Sequence, residues 1–155
     1  MQILLNIYFC KLRSFLIIGR HQKAFFSTFG HVDPGENEWQ AAIREVKEES
    51  GIDANEQLTI IKDFKHEMFY YVKSELKRVT YWLAKANDSN IQVTLSHEHL
   101  EFRWVNYEDA LDLVTREEMK EMLEKADDYI NKNSGGFCRV EKRKQRFHFY
   151  KTIFS

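Results

Sequence analysis

The sequence predicts a single domain of the α/β class. Three observations lead there. The chain has 155 residues, the size of one domain with a real core. Short apolar runs rich in β-branched and aromatic residues recur along it, as strands require. Between and after those runs the apolar spacing changes to that of a helix. A composition that is 43% hydrophobic and 14% aromatic excludes a wholly disordered chain.

The elements follow in order. Residues 3–9 and 15–18 read as two core strands joined by a basic link. Residues 30–36 hold Asp33, Pro34 and Gly35, a turn cluster with the only proline of the chain. From residue 37 to 50 the period changes: Trp39, Ala42, Ile43 and Val46 recur at helical spacing with charge on the other side. Asn37 suits the N-cap and Gly51 the stop. Residues 58–61, 67–72 and 79–84 read as strands, 87–90 as a polar turn and 102–105 as a further strand. Helices are predicted over 107–113 and 117–130, the second with apolar Met119, Met122, Leu123 and Ala126. Trp82 and Trp104 read as core. Gly135 and Gly136 then break the chain, which divides it into a domain over 1–131 and a tail over 132–155.

Charge is unevenly placed. The chain holds 23 basic and 24 acidic residues, a formal −1. Residues 1–29 carry +4, residues 30–131 carry −11 and residues 132–155 carry +6. An acidic body therefore has two basic ends. In the tail, Arg139, Lys142, Arg143, Lys144 and Arg146 interleave with Phe147, Phe149 and Tyr150. That composition suits contact with RNA or an anionic surface; the competing reading is an unstructured extension. No run reaches the roughly 18 apolar residues of a membrane span. Cys10 and Cys138 stand far apart and form no metal-type spacing, as in a reducing compartment. Lys11 and Arg13 follow the first apolar run instead of preceding it, the wrong order for a secretory signal. A cytoplasmic, monomeric protein is expected. The acid-free start with Ser14 and Ser27 keeps a mitochondrial transit segment as the alternative.

The most informative segment is the predicted helix over 37–50. Glu45, Glu48 and Glu49 stand at i, i+3 and i+4, so a helix points them to one face. Three like charges there repel, and a cation removes that cost. Hard oxygen donors suit Mg²⁺ or Mn²⁺ and not zinc. Alone, this spacing also fits a solvated acidic face. The flanking residues decide between the two. Gly30, five residues, Glu36, seven residues, Arg44 and Glu45, then Val46, Glu48, Glu49, Gly51 and Ile52 make nine specified positions over 23 residues. Gly30 and Gly35 permit a tight loop with close backbone approach to a phosphate or positive φ. Arg44 stands beside Glu45 and can orient a carboxylate through paired hydrogen bonds.

This pattern resembles the Nudix box. The resemblance implies the Nudix fold, a mixed sheet sandwiched between helices, and a hydrolase whose helix glutamates bind divalent metal and help position or deprotonate water. It makes Glu45, Glu48 and Glu49 metal ligands, with Glu48 or Glu49 as the base, and Glu36 a structural residue of the loop. Residues 30–36 (Gly-His-Val-Asp-Pro-Gly-Glu), 57–61 (Gln-Leu-Thr-Ile-Ile), 81–84 (Tyr-Trp-Leu-Ala) and 95–99 (Leu-Ser-His-Glu-His) are further similar to the animal-type asymmetric diadenosine tetraphosphate hydrolases. Members cleave diadenosine tetraphosphate into ATP and AMP with Mg²⁺. On that resemblance Glu98 completes metal binding, His31 and Lys77 meet phosphate, and Tyr70 stacks on adenine. From its own surroundings Tyr70, in the run Phe69-Tyr70-Tyr71, also fits the core, and Lys77 fits an ordinary surface lysine. His97 and His99 flank Glu98, but an H-x-H without a cysteine partner does not make a zinc site.

The chain departs from the family before the box. A Trp-Thr-Pro-Pro-Lys stretch is replaced by residues 25–29, with Phe25 at the tryptophan position and Phe29 at the lysine position. Arg116 replaces a second adenine-stacking aromatic. Substrate affinity, and not metal chemistry, is where a difference is expected. The rivals are a Nudix hydrolase of another nucleotide diphosphate or of an RNA cap, and a nucleotide- or RNA-binding module with impaired catalysis. Translated intron sequence at both ends is a third reading of the divergent termini, tested by sequencing the mature transcript.

Overall fold

The structure, a computed structural model, describes residues 2–9, 14–21, 24–26, 28–88 and 90–133. The tail from residue 134 onward, with Gly135, Gly136 and Cys138, lies outside these residues, as do Cys10, Lys11 and Arg13. The side chains of Phe25 and Phe29 lie outside the description too.

Strand β2 (Ser14–His21) shows how the layers form. Its side chains alternate, as strand geometry requires. Phe15 and Ile17 enter one core, while Leu16 and Ile18 enter the other. Strand β6 (Glu75–Ala86) does the same: Val79, Tyr81 and Leu83 face the first core, and Trp82 and Ala84 the second. Strands buried on both faces need a cover on each side. Helix α4 (Glu117–Asn133) covers the first through Met119, Met122, Leu123, Ala126 and Ile130. Helix α1 (Glu38–Ser50) covers the second through Val46. Its Ala41 and Ala42 pack against Val32 and Trp82, and their small side chains let the helix approach closely.

The sheet is mixed. Its order is β3 (Ala24–Phe26), β2, β1 (Gln2–Phe9), β6 and β5 (Leu58–Val72), with β4 (Thr28–His31) on β1 and β7 (Glu101–Val105) on β2. Strand β1 runs parallel to β6 and antiparallel to β2 and β4. The sandwich of a mixed sheet between helices therefore matches the fold expected from the sequence. The first two strands, helix α3 (Tyr107–Leu113) and the N-cap at Asn37 also stand where expected.

Some details differ. The two strands expected over 58–61 and 67–72 are one strand, because the register against β6 shifts between Ile61 and Lys65. That bulge sets exposed Lys62 and Asp63 outside the ladder, which is why their polarity reads as a break. The β5–β6 hairpin turns on Lys73 (φ 47°) and Ser74 (φ 72°). Two positive φ values are what a tight hairpin turn needs, but Asn-Gly, and not Lys-Ser, is its usual sign. Strands β3 and β4 and the short helix α2 (Ala54–Gln57) are additional to the predicted elements.

Candidate active site

Helix α1 is built by its ends. Asn37 accepts from the Gln40 amide at 2.9 Å, and the Gln40 side chain accepts from the Asn37 amide at 2.9 Å. This reciprocal box satisfies two free donors of the first turn. At the other end Gly51 adopts φ 70° and donates to the Lys47 carbonyl at 2.9 Å. Lys47 pairs with Asp53 at 2.9 Å, just past the stop. The carboxylate face is thus carried on a helix fixed at both termini.

Arg44 organises the face. Its Nη2 and Nε bind the two Glu36 oxygens at 2.6 and 3.2 Å. Its Nη1 donates to Glu45 at 2.9 Å and to Glu48 at 3.0 Å. Nη2 also donates to the His31 carbonyl at 2.9 Å. The planar fork reaches all four partners at once, which a lysine cannot do. These carboxylates hold the guanidinium more firmly protonated than usual, the Glu36 bond contributing most. Glu36 is held below the usual carboxylate range, first by Arg44 and then by the Asp33 amide, which donates to it at 2.7 Å. Glu36 therefore ties the loop to the helix. Gly35 in that loop adopts φ 93°, whereas Gly30 lies within strand β4 opposite Ile3.

The three helix glutamates are not equivalent. Glu48 is 58% exposed, while Glu49 is only 7% exposed and faces His99. Among the described residues no three Asp, Glu, His or Cys side chains converge as a metal would require. Arg44 supplies positive charge between Glu45 and Glu48 instead. The donor chemistry nonetheless fits a hard divalent cation, because the face offers carboxylate oxygens and no sulfur. Glu98 lies in an exposed turn whose neighbour Ser96 donates its amide to the Glu49 carbonyl at 3.2 Å. That bond docks the turn on the end of α1.

Two of the remaining candidates, Tyr70 and Lys77, lie elsewhere. Tyr70 and Lys77 are cross-strand partners on β5 and β6. They share the face of Val79 and Tyr81, beneath α4, whereas the carboxylates ride on α1 over the opposite face. Lys77 is bound to Glu75 at 2.6 Å. Arg116 lies over the Tyr70 ring at 4.6 Å. Burial raises the Tyr70 hydroxyl above the usual phenol range, and Arg116 opposes that. His31 is exposed and meets the site through its carbonyl. The sequence alone assigns no role to Ser96 or His99; the only signal is their three-residue spacing, which forms a turn.

A mixed sheet between helices, with an arginine-gathered carboxylate helix entered through a glycine loop, defines the class. The chain belongs to the NUDIX domain family, which matches residues 10–126. It is 45% identical over 101 residues to the Mus musculus bis(5′-nucleosyl)-tetraphosphatase [asymmetrical], covering 65% of this chain and 68% of that protein. The Caenorhabditis elegans protein of the same description is 52% identical over 96 residues, covering 62% and 68%. Among solved structures, a C. elegans Ap4A hydrolase in a binary complex is similar with a TM-score of 0.77 and 42% identity, covering 84% of this chain and 97% of that one. The family match begins at residue 10, so it takes in β2 and β3, upstream of the box, and β4, which leads into it. No described helix is long and apolar enough to cross a membrane.

Proposed function

We propose that this chain hydrolyses diadenosine tetraphosphate to ATP and AMP, with Mg²⁺ as its metal and Mn²⁺ as a substitute. The observation that carries the reading is the identity of 45–52% to two asymmetrical tetraphosphatases, with the Arg44 carboxylate face intact. Glu45, Glu48, Glu49 and Glu98, which do not converge in this structure, would have to turn toward one another to hold the metal. A metal held by these carboxylates would supply charge neutralisation at the phosphates and a more acidic water. Water adds to a terminal-side phosphorus, the bond to the bridging oxygen breaks, and the leaving phosphate departs as ATP with AMP as the other product. Glu48 or Glu49 accepts the water proton. Arg44 fixes the direction of Glu45 and Glu48, and Glu36 fixes Arg44. His31 and Lys77 meet phosphate, Lys77 by exchanging Glu75 for it. Tyr70 stacks on an adenine, which Arg116 must uncover or join.

A substrate screen with Mg²⁺ tests this: diadenosine tetraphosphate, capped RNA and nucleoside diphosphate derivatives, compared by kcat/KM. Preference for diadenosine tetraphosphate supports the reading, and preference for another substrate overturns it. Glu48→Gln should lower kcat by at least about 100-fold if the face holds the metal. Unchanged turnover would remove Glu48 from the site.

A further inference from the structure

The pair Ser96 and His99 has no place in the proposed chemistry, yet it is built around Glu49. The His99 side chain is 6% exposed and sets Nε2 at 3.6 Å from Glu49 Oε1. That is ion-pair reach, longer than a hydrogen bond. On the other side of the ring Nδ1 lies 3.0 Å from Ser96 Oγ. The backbone fixes the same three residues: Ser96 donates to the Glu49 carbonyl at 3.2 Å, and His99 donates to the Ser96 carbonyl at 3.2 Å. Next to them Thr94 donates to the Ser50 carbonyl at 2.8 Å. The turn therefore cannot shift without carrying His99 away from Glu49.

Two ring tautomers are open to a neutral His99, and electrostatics separates them. With Nδ1–H donating to Ser96, the Nε2 lone pair would face the Glu49 carboxylate, which repels it. With Ser96 Oγ–H donating to Nδ1, an N–H points from Nε2 toward the carboxylate oxygen, which attracts it. Glu49 thus selects the Nε2–H tautomer, and Ser96, whose hydroxyl can donate or accept, holds it there by donating to Nδ1. Metal-binding side chains are commonly oriented by such outer partners.

We propose that His99 is a positioning residue for Glu49, held in the required tautomer by Ser96, so that the buried carboxylate keeps one orientation for metal binding. The inference deepens the proposed function and rests on its reading of Glu49 as a ligand. It assigns a role to a histidine of the H-x-H segment that is neither zinc binding nor contact with substrate.

The test uses His99→Ala, His99→Gln, Ser96→Ala and Glu49→Gln in the full chain. Mn²⁺ binding is titrated by electron paramagnetic resonance, beside thermal unfolding, kcat and KM. His99→Ala should weaken Mn²⁺ binding and lower kcat by about 10–100-fold. KM for diadenosine tetraphosphate should stay within about twofold, because substrate contacts are untouched. His99→Gln keeps an N–H donor toward Glu49 and should recover most of the loss. Ser96→Ala should show a smaller loss of the same kind. Wild-type Mn²⁺ affinity in folded His99→Ala, or equal impairment in His99→Ala and His99→Gln, overturns the proposal. If His99→Ala does not fold, wild-type Mn²⁺ affinity in Ser96→Ala overturns it. Glu49→Gln separates the two readings. Its unchanged Mn²⁺ affinity refutes Glu49 as a ligand, whereas its loss beside intact binding in His99→Ala refutes only the positioning role.

Discussion

Gly51 joins the carboxylate helix to the loop that carries Ser96, Glu98 and His99, so Gly51→Ala probes that junction. Two costs add. Gly51 sits at φ 70°, and a side chain in that left-handed region costs about 1–2 kcal/mol. A Cβ there would also stand 3.0 Å from Thr94 Cβ, 3.3 Å from its carbonyl oxygen and 3.5 Å from its amide nitrogen. Two of those atoms are backbone, and the Thr94 amide is bonded to Ser50 at 2.8 Å, so the loop cannot yield freely. Overpacking of this kind costs about 1–3 kcal/mol. Together the substitution should cost about 2–5 kcal/mol, or roughly 4–20 °C in Tm for a domain of this size. Gly35→Ala is the control. It has φ 93° but no atom within 4 Å of the new Cβ, so it meets the strain alone. Urea and thermal unfolding of both variants measure the difference. A Gly51→Ala protein no less stable than Gly35→Ala would refute the close packing of Thr94 on the helix stop.

Arg44→Lys keeps the charge but not the fork across Glu36, Glu45, Glu48 and His31, so kcat should fall by about 10–100-fold; an unchanged kcat would contradict the organising role of Arg44. Stability should fall on acidification in two steps, read by Tm against pH. Burial and Lys125 hold His66 below the ordinary histidine value, so the unfolded chain takes up that proton first and stability drops as pH falls through about 6.5. Glu36 and Asp53 are held below the carboxylate range by Arg44 and Lys47; their contribution is complete above about pH 4 and is lost as pH falls through their folded values. A flat Tm from pH 7 to 5.5, or no change of the first step in His66→Asn, would contradict the His66 assignment. Tyr70→Ala should raise KM by roughly 5–150-fold with kcat nearly unchanged, the worth of one stacked base at about 1–3 kcal/mol; an unchanged KM removes Tyr70 from the substrate path.

The carboxylate helix is legible because several local signals agree. Asn37, the apolar spacing of Ala42 and Val46, and Gly51 each mark the same element, and the structure caps it at those residues. Arg44 is legible only in part. Adjacency suggests Glu45 as a partner, but the bonds to Glu36 and the His31 carbonyl depend on how the loop folds back over the helix. The Ser96–His99 relay is hidden for the same reason: its target lies 50 positions away from His99 in the chain, and only the docked turn brings them together. The hairpin at Lys73 and Ser74 is hidden because its residues do not favour the conformation they adopt, which the paired strands impose on them. Arg116 shows the reverse case. It reads as the loss of an aromatic, yet the structure keeps it at the Tyr70 face with its guanidinium over the ring.

The most direct test of the account follows the products of diadenosine tetraphosphate with Mg²⁺ over time, separated by ion-exchange chromatography. ATP and AMP should appear in equal amounts at the rate of substrate loss, with this production suppressed in Glu48→Gln. Two ADP per substrate, or no cleavage by the folded protein, would contradict it.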